Sequence, residues 1–417
     1  MKKIFLSVVI VFYGIFCAAQ SIKVQDGKDK RIIDLDQAQY PDTALLLSTL
    51  YKSVKLIPLE TNKSCLIGSI DKIQVFDNYI LIMDALIAKS LYAFDREGRF
   101  IRKIGGVGQG PGEYASIWDF TIDRENNTVY VLDSRARIHQ YNLATGRFIQ
   151  SVVLDRSDGN AKIDRFVHIG GKLYATALFG EHSPDNYLLY TIDESSGKAI
   201  NNFLNVMEYN KGYSNLSGNN IPDRPFFSRE NGDAIFVRPM MDDIIEITKD
   251  GVFSLFELKG KNLLSASEAK KLYDSFNMTH VIKERQNPDL LSFYQINKYT
   301  MFLTYIENGT WIIIQRAIGM TAHTILMNQK TNEVCVYKGC FDDVLYSVRG
   351  QNSSNIFGCT DSNGVYYHTS STRSNGVSDL QSYYNEGAFS PDVIGLEKIK
   401  ELTDDDNPIL LYYEFQR

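Results

Sequence analysis

The sequence predicts an all-β chain, a six-bladed β-propeller closed by an N-terminal strand, with short helical inserts on one face. Three observations predict it. A strand-and-turn unit recurs, as YILIMDALIAKSLYAFDREGRFIRKIG at 79–105 and TVYVLDSRARIHQYNLATGRFIQSVVL at 128–154. A tight turn marks each copy at Gly98, Gly146, Gly197, Gly251 and Asn332, and the first three intervals are about fifty residues, the length of a four-stranded blade. Aromatics make up 12% of the 417 residues, with 25 Tyr and 23 Phe, which favours strands.

The elements follow in chain order. Residues 1–19 read as a signal peptide: Lys2 and Lys3, an apolar run from Ile4 to Phe16, then Cys17-Ala18-Ala19 as a cleavage site before Gln20. The apolar run is too short to span a bilayer. Lipidation at Cys17 is the rival reading, and Ile15 and Phe16 fit it badly. Residues 20–50 form an N-terminal extension, and 51–417 the propeller.

Strands A to D run outward from the centre of each blade. The first blade reads IDKIQVF, YILIMD, LYAFD and RFIRKI; the second reads IWDFTID, TVYVLD, RIHQYN and RFIQSVV. The third supplies KLYATAL and YLLYTID as B and C, and the fourth AIFVRP and IIEITK. The fifth reads MFLTYIE, TWIIIQR, HTILMNQ and EVCVYK. The sixth reads NIFGCTD, GVYYHTS and ILLYYEF, and there the chain ends without a D strand. VKLIPLE at 54–60 precedes the first A strand and is placed as that missing strand, which removes the ring's free edges.

LIPLETN, LIGSIDKI, FDREGRFIRKIGGVGQGPGEY and the closing NPILLYYE resemble the bacterial six-bladed β-propeller proteins related to NHL repeats. The resemblance spans roughly residues 45 to 417 and is strongest in the first two blades. It implies a fold and an exported location, and no reaction.

Ser265 to Glu268 is a capping box opening a helix that carries Leu272 and Phe276 on one face. Ser390-Pro391-Asp392 starts a second, with Val393, Leu396, Ile399 and Leu402 as its apolar stripe. Asp42–Lys52 is a third candidate. The cysteines left after cleavage, Cys65, Cys335, Cys340 and Cys359, lack C-x-x-C spacing and are expected as free buried thiols.

Because strands alternate in direction, A–B and C–D turns share one face, and B–C loops and D–A connections share the other. The long segments at 105–116, 206–226, 260–300 and 371–407 fall on the second, the expected binding face. There the B strands end in Asp84, Asp133, Arg238, Arg316 and His368, with Arg135, Arg137, Glu181 and His182 in nearby loops. Such a ring suits an anionic or polyhydroxyl ligand, because Arg presents a planar fork of donors. Tyr114 and Trp118 could add a stacking surface. The plainer account of Asp84 and Asp133 is capping of the following turn. GGVGQGPGEY lacks the ending of a phosphate loop and reads as a D–A crossover.

A net charge of −6 without a long basic run argues against nucleic acid. No H-E-x-x-H or G-x-S-x-G occurs. The expectation is an exported, non-catalytic binding propeller, without cofactor, metal or transmembrane segment. Its partner is a glycan, a peptide or a cell-envelope protein. The alternative is a metal-dependent propeller enzyme, a lactone hydrolase or lyase, with its site in the central channel.

Overall fold

Each repeat folds as an antiparallel sheet because its short strands alternate side chains between two neighbouring blades, so both faces are buried. A computed structural model describes residues 20–154, 161–179, 183, 185–213, 224–229, 231–275, 298–318, 321–347, 358–368 and 377–416. Its principal sheets are six blades of four strands, two of them widened by a fifth.

Strands A to D are Lys72–Phe76, Tyr79–Asp84, Ser90–Phe94 and Phe100–Ile104 in the first blade. In the second they are Ile117–Asp123, Thr128–Asp133, Arg137–Asn142 and Phe148–Val153. The third comprises Ala161–Ile169, Lys172–Phe179, Tyr187–Ile192 and Ala199–Asn205; the fourth comprises Phe226–Ser228, Ala234–Phe236, Asp243–Thr248 and Gly251–Lys259. The fifth comprises Tyr299–Glu307, Trp311–Ile318, Thr321–Asn328 and Val334–Tyr337. In the first four blades the register of the C–D pair slips at one point, which adds twist to the outer strand.

The sixth blade joins the two ends of the chain. Gly358–Thr360, Gly364–His368 and Ile409–Phe415 supply A, B and C, and Tyr51–Pro58 pairs with Ile409–Phe415 as D. The N-terminal strand thus closes the ring. Tyr51 stacks on Phe415 with centroids 5.9 Å apart, and both are buried.

Residues 20–50 form a strap around the outside. Gln20–Ser21 pairs in parallel with strand D of the third blade, and Gln25–Asp34 with strand D of the fourth. Gln39 bridges Cys335 of the fifth blade, and Leu45–Leu46 pairs with Cys340–Phe341. Ile33 and Leu35 are buried against Phe256 and Leu258 of the fourth blade. Each contributes roughly 1.5–3 kcal/mol of apolar burial.

The recurring turn residue has a steric cause. Gly98, Gly146, Gly197 and Asn332 have positive φ. A Cβ on Gly98 would lie 2.3 Å from Pro58 O, and one on Gly197 would lie 2.1 Å from Val153 O. At Gly98 and Gly197 the C–D turn therefore rests on the D strand of the preceding blade, where only glycine fits, whereas the fifth blade admits Asn332 at the same turn.

The inserts depart from expectation. The capping box forms: Ser265 N donates to Glu268 Oε2 at 2.8 Å and Glu268 N to Ser265 Oγ at 3.3 Å, opening helix Ala266–Ser275. Phe276 lies outside the described residues, as do the side chain of Leu272 and the loop residues Glu181 and His182. The helix expected at Ser390 begins later, as a 3₁₀ turn over Leu396–Glu401, with Val393 and Ile399 buried. An unexpected helix, Val377–Asn385, packs beside it. Asp42–Lys52 holds only a 3₁₀ turn, Leu47–Thr49, because Leu45, Leu47 and Leu50 are drawn onto the core of the sixth blade. The four cysteines are free thiols; Cys65 and Cys340 are buried, and Cys335 and Cys359 are half-buried.

Two stability predictions follow from the turn and the strap. Gly197→Ala is expected to lower unfolding free energy by about 2–3 kcal/mol, from left-handed strain plus the clash with Val153 O. Gly171→Ala, at φ +74° in open space, is expected to cost only about 1 kcal/mol. Equal losses in urea titration would refute the steric account. Ile33→Ala is expected to cost about 2–4 kcal/mol, and the half-exposed Ile32→Ala under about 0.5 kcal/mol. A small loss at Ile33 would show that the strap is not part of the cooperative unit.

Candidate functional site

Converging A strands leave a channel along the axis. Its mouth, on the face of the B–C loops and D–A connections, holds a cavity of about 320 Å³. Lys72, Gln74, Asp119 and Arg165 reach it from A strands or their starts, and His368 from the end of a B strand. Asp71 and Arg224 come from D–A connections, and Leu86 from a B–C loop. Trp118, Phe226 and Phe227 supply aromatic surface. A smaller cavity of about 40 Å³ continues down the channel past Gln74 to Thr121, Arg124 and His168.

Strand alternation explains this lining. In Lys72-Ile73-Gln74-Val75, Ile73 and Val75 pack into the core of their blade, which leaves the two polar residues to the channel. Phe120 and Ile122 likewise enter the core and leave Asp119 and Thr121 on the other side. Lys72 Nζ lies 2.6 Å from Asp119 Oδ1 and donates to Phe120 O at 2.6 Å. Asp119 also accepts from Phe166 N at 2.9 Å, so one buried carboxylate joins three consecutive blades. Burial draws the Lys72 ammonium below its usual pKa, against the pull of Asp119.

The remaining polar lining is less engaged. Arg165 Nη1 donates to Asp164 O at 2.7 Å, and among the described residues no carboxylate forms an ion pair with it. Gln74 Oε1 is buried without a hydrogen-bond partner among the described residues. Arg224 donates to the carbonyl of Asp71 at 3.3 Å. Asp71's carboxylate is occupied by Ser69 Oγ and Ala85 N, at 2.9 and 2.7 Å. Burial and the Arg224 cation hold His368 down to about 4, so the imidazole is neutral at pH 7. Burial pushes the Cys359 thiol up to about 11, far from a reactive thiolate.

Of the residues singled out in the sequence, Trp118 and His368 line this cavity. The others lie elsewhere. Asp84 accepts from the amides of Gly68, Ser69, Ile87 and Ala88, and Asp133 from those of Arg135 and Arg137. Both are buried caps. The side chains of Arg135 and Arg137 are exposed, away from the mouth. Tyr114 is wholly buried, its hydroxyl donating to Ile104 O, and it has no ring face to offer a ligand. Arg238 and Arg316 are buried between blades. Arg238 Nη1 donates to Thr176 Oγ1 at 3.1 Å, and Arg316 Nη1 to Met241 O at 2.8 Å. Each holds the preceding blade. The Gly-rich crossover is structural too: Glu113 Oε2 takes the amide of Gly110 at 2.8 Å, placing a carboxylate where a phosphate loop would need an anion.

Lys72, Gln74, Arg165 and Arg224 were missed. The alternation in IDKIQVF could have found Lys72 and Gln74, whereas Arg165 lies on an A strand with no recognisable copy of the repeat, and Arg224 in a long connection.

Among the described residues, no helix is long and apolar enough to cross a membrane. No curated protein matches the chain. A protein from Bacteroides fragilis, provisionally described as exported, is 16% identical with a TM-score of 0.69, over 93% of this chain and 100% of that one. At this identity the likeness carries the fold alone. A member of the DUF4221 family from Bacteroides vulgatus is 11% identical with a TM-score of 0.49, over 88% and 97% of the two chains. The profile of a domain of unknown function, DUF4934, matches residues 30–414, nearly the whole blade array and most of the strap, and the protein therefore belongs to the DUF4934 family.

Proposed function

We propose that this protein is an exported, non-catalytic binding propeller that takes its ligand at the mouth of the central channel. The observation that carries this reading is the cavity itself. It sets a half-buried indole, Trp118, beside Arg165, a cation without a carboxylate partner among the described residues. Pockets of this kind bind through apolar walls and a few placed polar groups. The long connection that ends at Arg224 and Pro225 reaches the lining from the same face, and the leader read at residues 1–19 supports export. The kinship of the blades with NHL repeats is part of the same proposal and rests on the motif likeness alone.

The preference for binding over catalysis rests on how the described groups of the lining are held. Among the described residues, no three His, Cys, Asp or Glu side chains come together as a metal-ligand set. Cys359 is held as a thiol, and the Asp119 carboxylate is already engaged by Lys72 and the Phe166 amide.

The test is a binding screen of the chain from Gln20 onward against glycan and peptide arrays, followed by calorimetry on the strongest hit. Trp118→Ala is expected to weaken that hit at least about ten-fold, near 1.4 kcal/mol, in a variant that still unfolds cooperatively. Arg135→Ala and Arg137→Ala are expected to leave it unchanged. Loss in the Arg135 and Arg137 variants with Trp118→Ala silent would move the site away from the channel.

A further inference from the structure

The ligand class can be narrowed from what the cavity leaves unused, an inference that rests on the binding reading above. Buried polar groups in folded proteins are almost always hydrogen-bonded, to the protein or to ordered water. Here several that share one cavity are not. Among the described residues, the Gln74 amide makes no hydrogen bond, and its Oε1 is buried. The imidazole of His368 and the hydroxyl of Ser228 likewise have no hydrogen-bond partner among the described residues. Arg165 uses one of its guanidinium nitrogens and leaves the others idle. These groups include acceptors, donors and groups that serve as either, so a ligand bearing only an anion cannot satisfy them.

Charge sets the second condition. Among the described residues, the ionised groups of the lining are Lys72, Arg165 and Arg224 against Asp71 and Asp119. Lys72 is paired with Asp119, and Asp71 lies at the carbonyl that receives Arg224. One positive charge is left uncompensated, and the idle fork that carries it is Arg165. A single guanidinium fork matches a carboxylate in plane and in charge. A phosphate dianion would be left with an excess negative charge beside the two carboxylates.

The walls set the third. Trp118 lies half-buried at the mouth, with Phe226 and Phe227 from the fourth blade, so a flat C–H face can be covered while hydroxyls point to Gln74, Ser228 and His368. A peptide C-terminus sets its carboxylate on an extended backbone whose N–H and C=O groups point to opposite sides, whereas a pyranose carries hydroxyls that both donate and accept around one compact ring. We infer that the channel mouth binds an acidic saccharide, with a uronate carboxylate on Arg165 and ring hydroxyls on Gln74, Ser228 and His368.

The experiment compares matched pairs that differ only at C6: D-glucuronate with D-glucose, and D-galacturonate with D-galactose, each as the monosaccharide and as short oligomers. Calorimetry is run on the chain from Gln20 onward, with inorganic phosphate and a hydrophobic C-terminal tripeptide as competitors. At least one acidic oligomer is expected to bind ten-fold or more tightly than its neutral twin, and neither competitor is expected to displace it. Arg165→Gln is expected to bring that ratio near one, whereas Gln74→Ala weakens acid and neutral sugar alike and keeps the ratio. Melting temperatures of both variants are measured to show that they fold. Equal affinity for acid and neutral sugars overturns the acidic class while the channel-mouth reading stands. Displacement by phosphate at equal concentration, or preferential binding of the tripeptide, overturns the saccharide. Absence of saccharide binding together with a Trp118-independent array hit overturns both.

Discussion

Everything in this fold depends on one strand pair. Tyr51–Pro58 is the outer strand of a blade whose other strands come from the far end of the chain, more than three hundred residues later. Until that pair forms, the first and sixth blades each present a bare sheet face, and the A strands have no reason to converge on an axis. Its formation buries Val54, Leu56, Leu411 and Tyr413 together, and brings Arg96 of the first blade to Asp361 and Tyr366 of the sixth, at 2.8 and 2.6 Å. The channel and its mouth are consequences of closure. No single blade contains the site: Lys72 belongs to the first blade, Trp118 to the second, Arg165 to the third, Phe226 to the fourth, Tyr305 to the fifth and His368 to the sixth.

The strap extends the same logic to the outside. A propeller leaves the outer edge of every D strand unpaired, and such edges invite association. Here the residues that precede the closing strand run first along the third and fourth blades, touch the fifth, and only then enter the sixth. The closing strand is thereby tied to two blades at once, because Ile33 and Leu35 are buried against the fourth and Leu45 and Leu47 in the core of the sixth. Polar ties between blades serve register more than energy. Arg229 binds Glu307 of the fifth blade through two nitrogens, at 2.9 and 3.1 Å, while also meeting Glu246 of its own. Charge pairs this enclosed recover little beyond their desolvation, and their directional bonds favour one blade angle over others.

The sequence made the blades legible because their signals are local. Strand alternation, the Asp that ends strands B in the first two blades, and the glycine of the C–D turn each sit within a few residues, and the turn glycine has a packing reason to recur. The site was less legible because it is assembled from positions remote in sequence. Arg238 and Arg316 stood out by breaking the Asp pattern. The break has a structural cause: in place of an Asp that caps its own loop, an Arg crosses to the preceding blade and bonds Thr176 or the carbonyl of Met241. Trp118 could be read because an exposed-face position and an aromatic coincide. Arg165 could not, since its strand was unrecognised and nothing in IDRFVHI distinguishes a channel cation from a surface one.

What marks the channel mouth is that its loosely engaged polar groups share one cavity. Elsewhere among the described residues, buried atoms short of a partner, such as His139 Nδ1, Asn202 Oδ1 and Asn308 Nδ2, are far apart, and other buried groups are fully answered: Asp84 by four backbone amides, and His168 between Asp123 and Glu194 with Tyr130 stacked 5.2 Å away. Leaving a half-buried amide and a guanidinium short of partners costs stability, on the order of 1–3 kcal/mol for each group held away from both protein and water. Hydrophobic residues at the same positions would remove that cost without disturbing closure, since Ile73 and Val75 already hold the strand to its blade. A cavity that holds polar groups beyond the Lys72–Asp119 tie between blades, placed where all six blades meet, is the arrangement expected when those groups are kept for a ligand that supplies the missing hydrogen bonds itself.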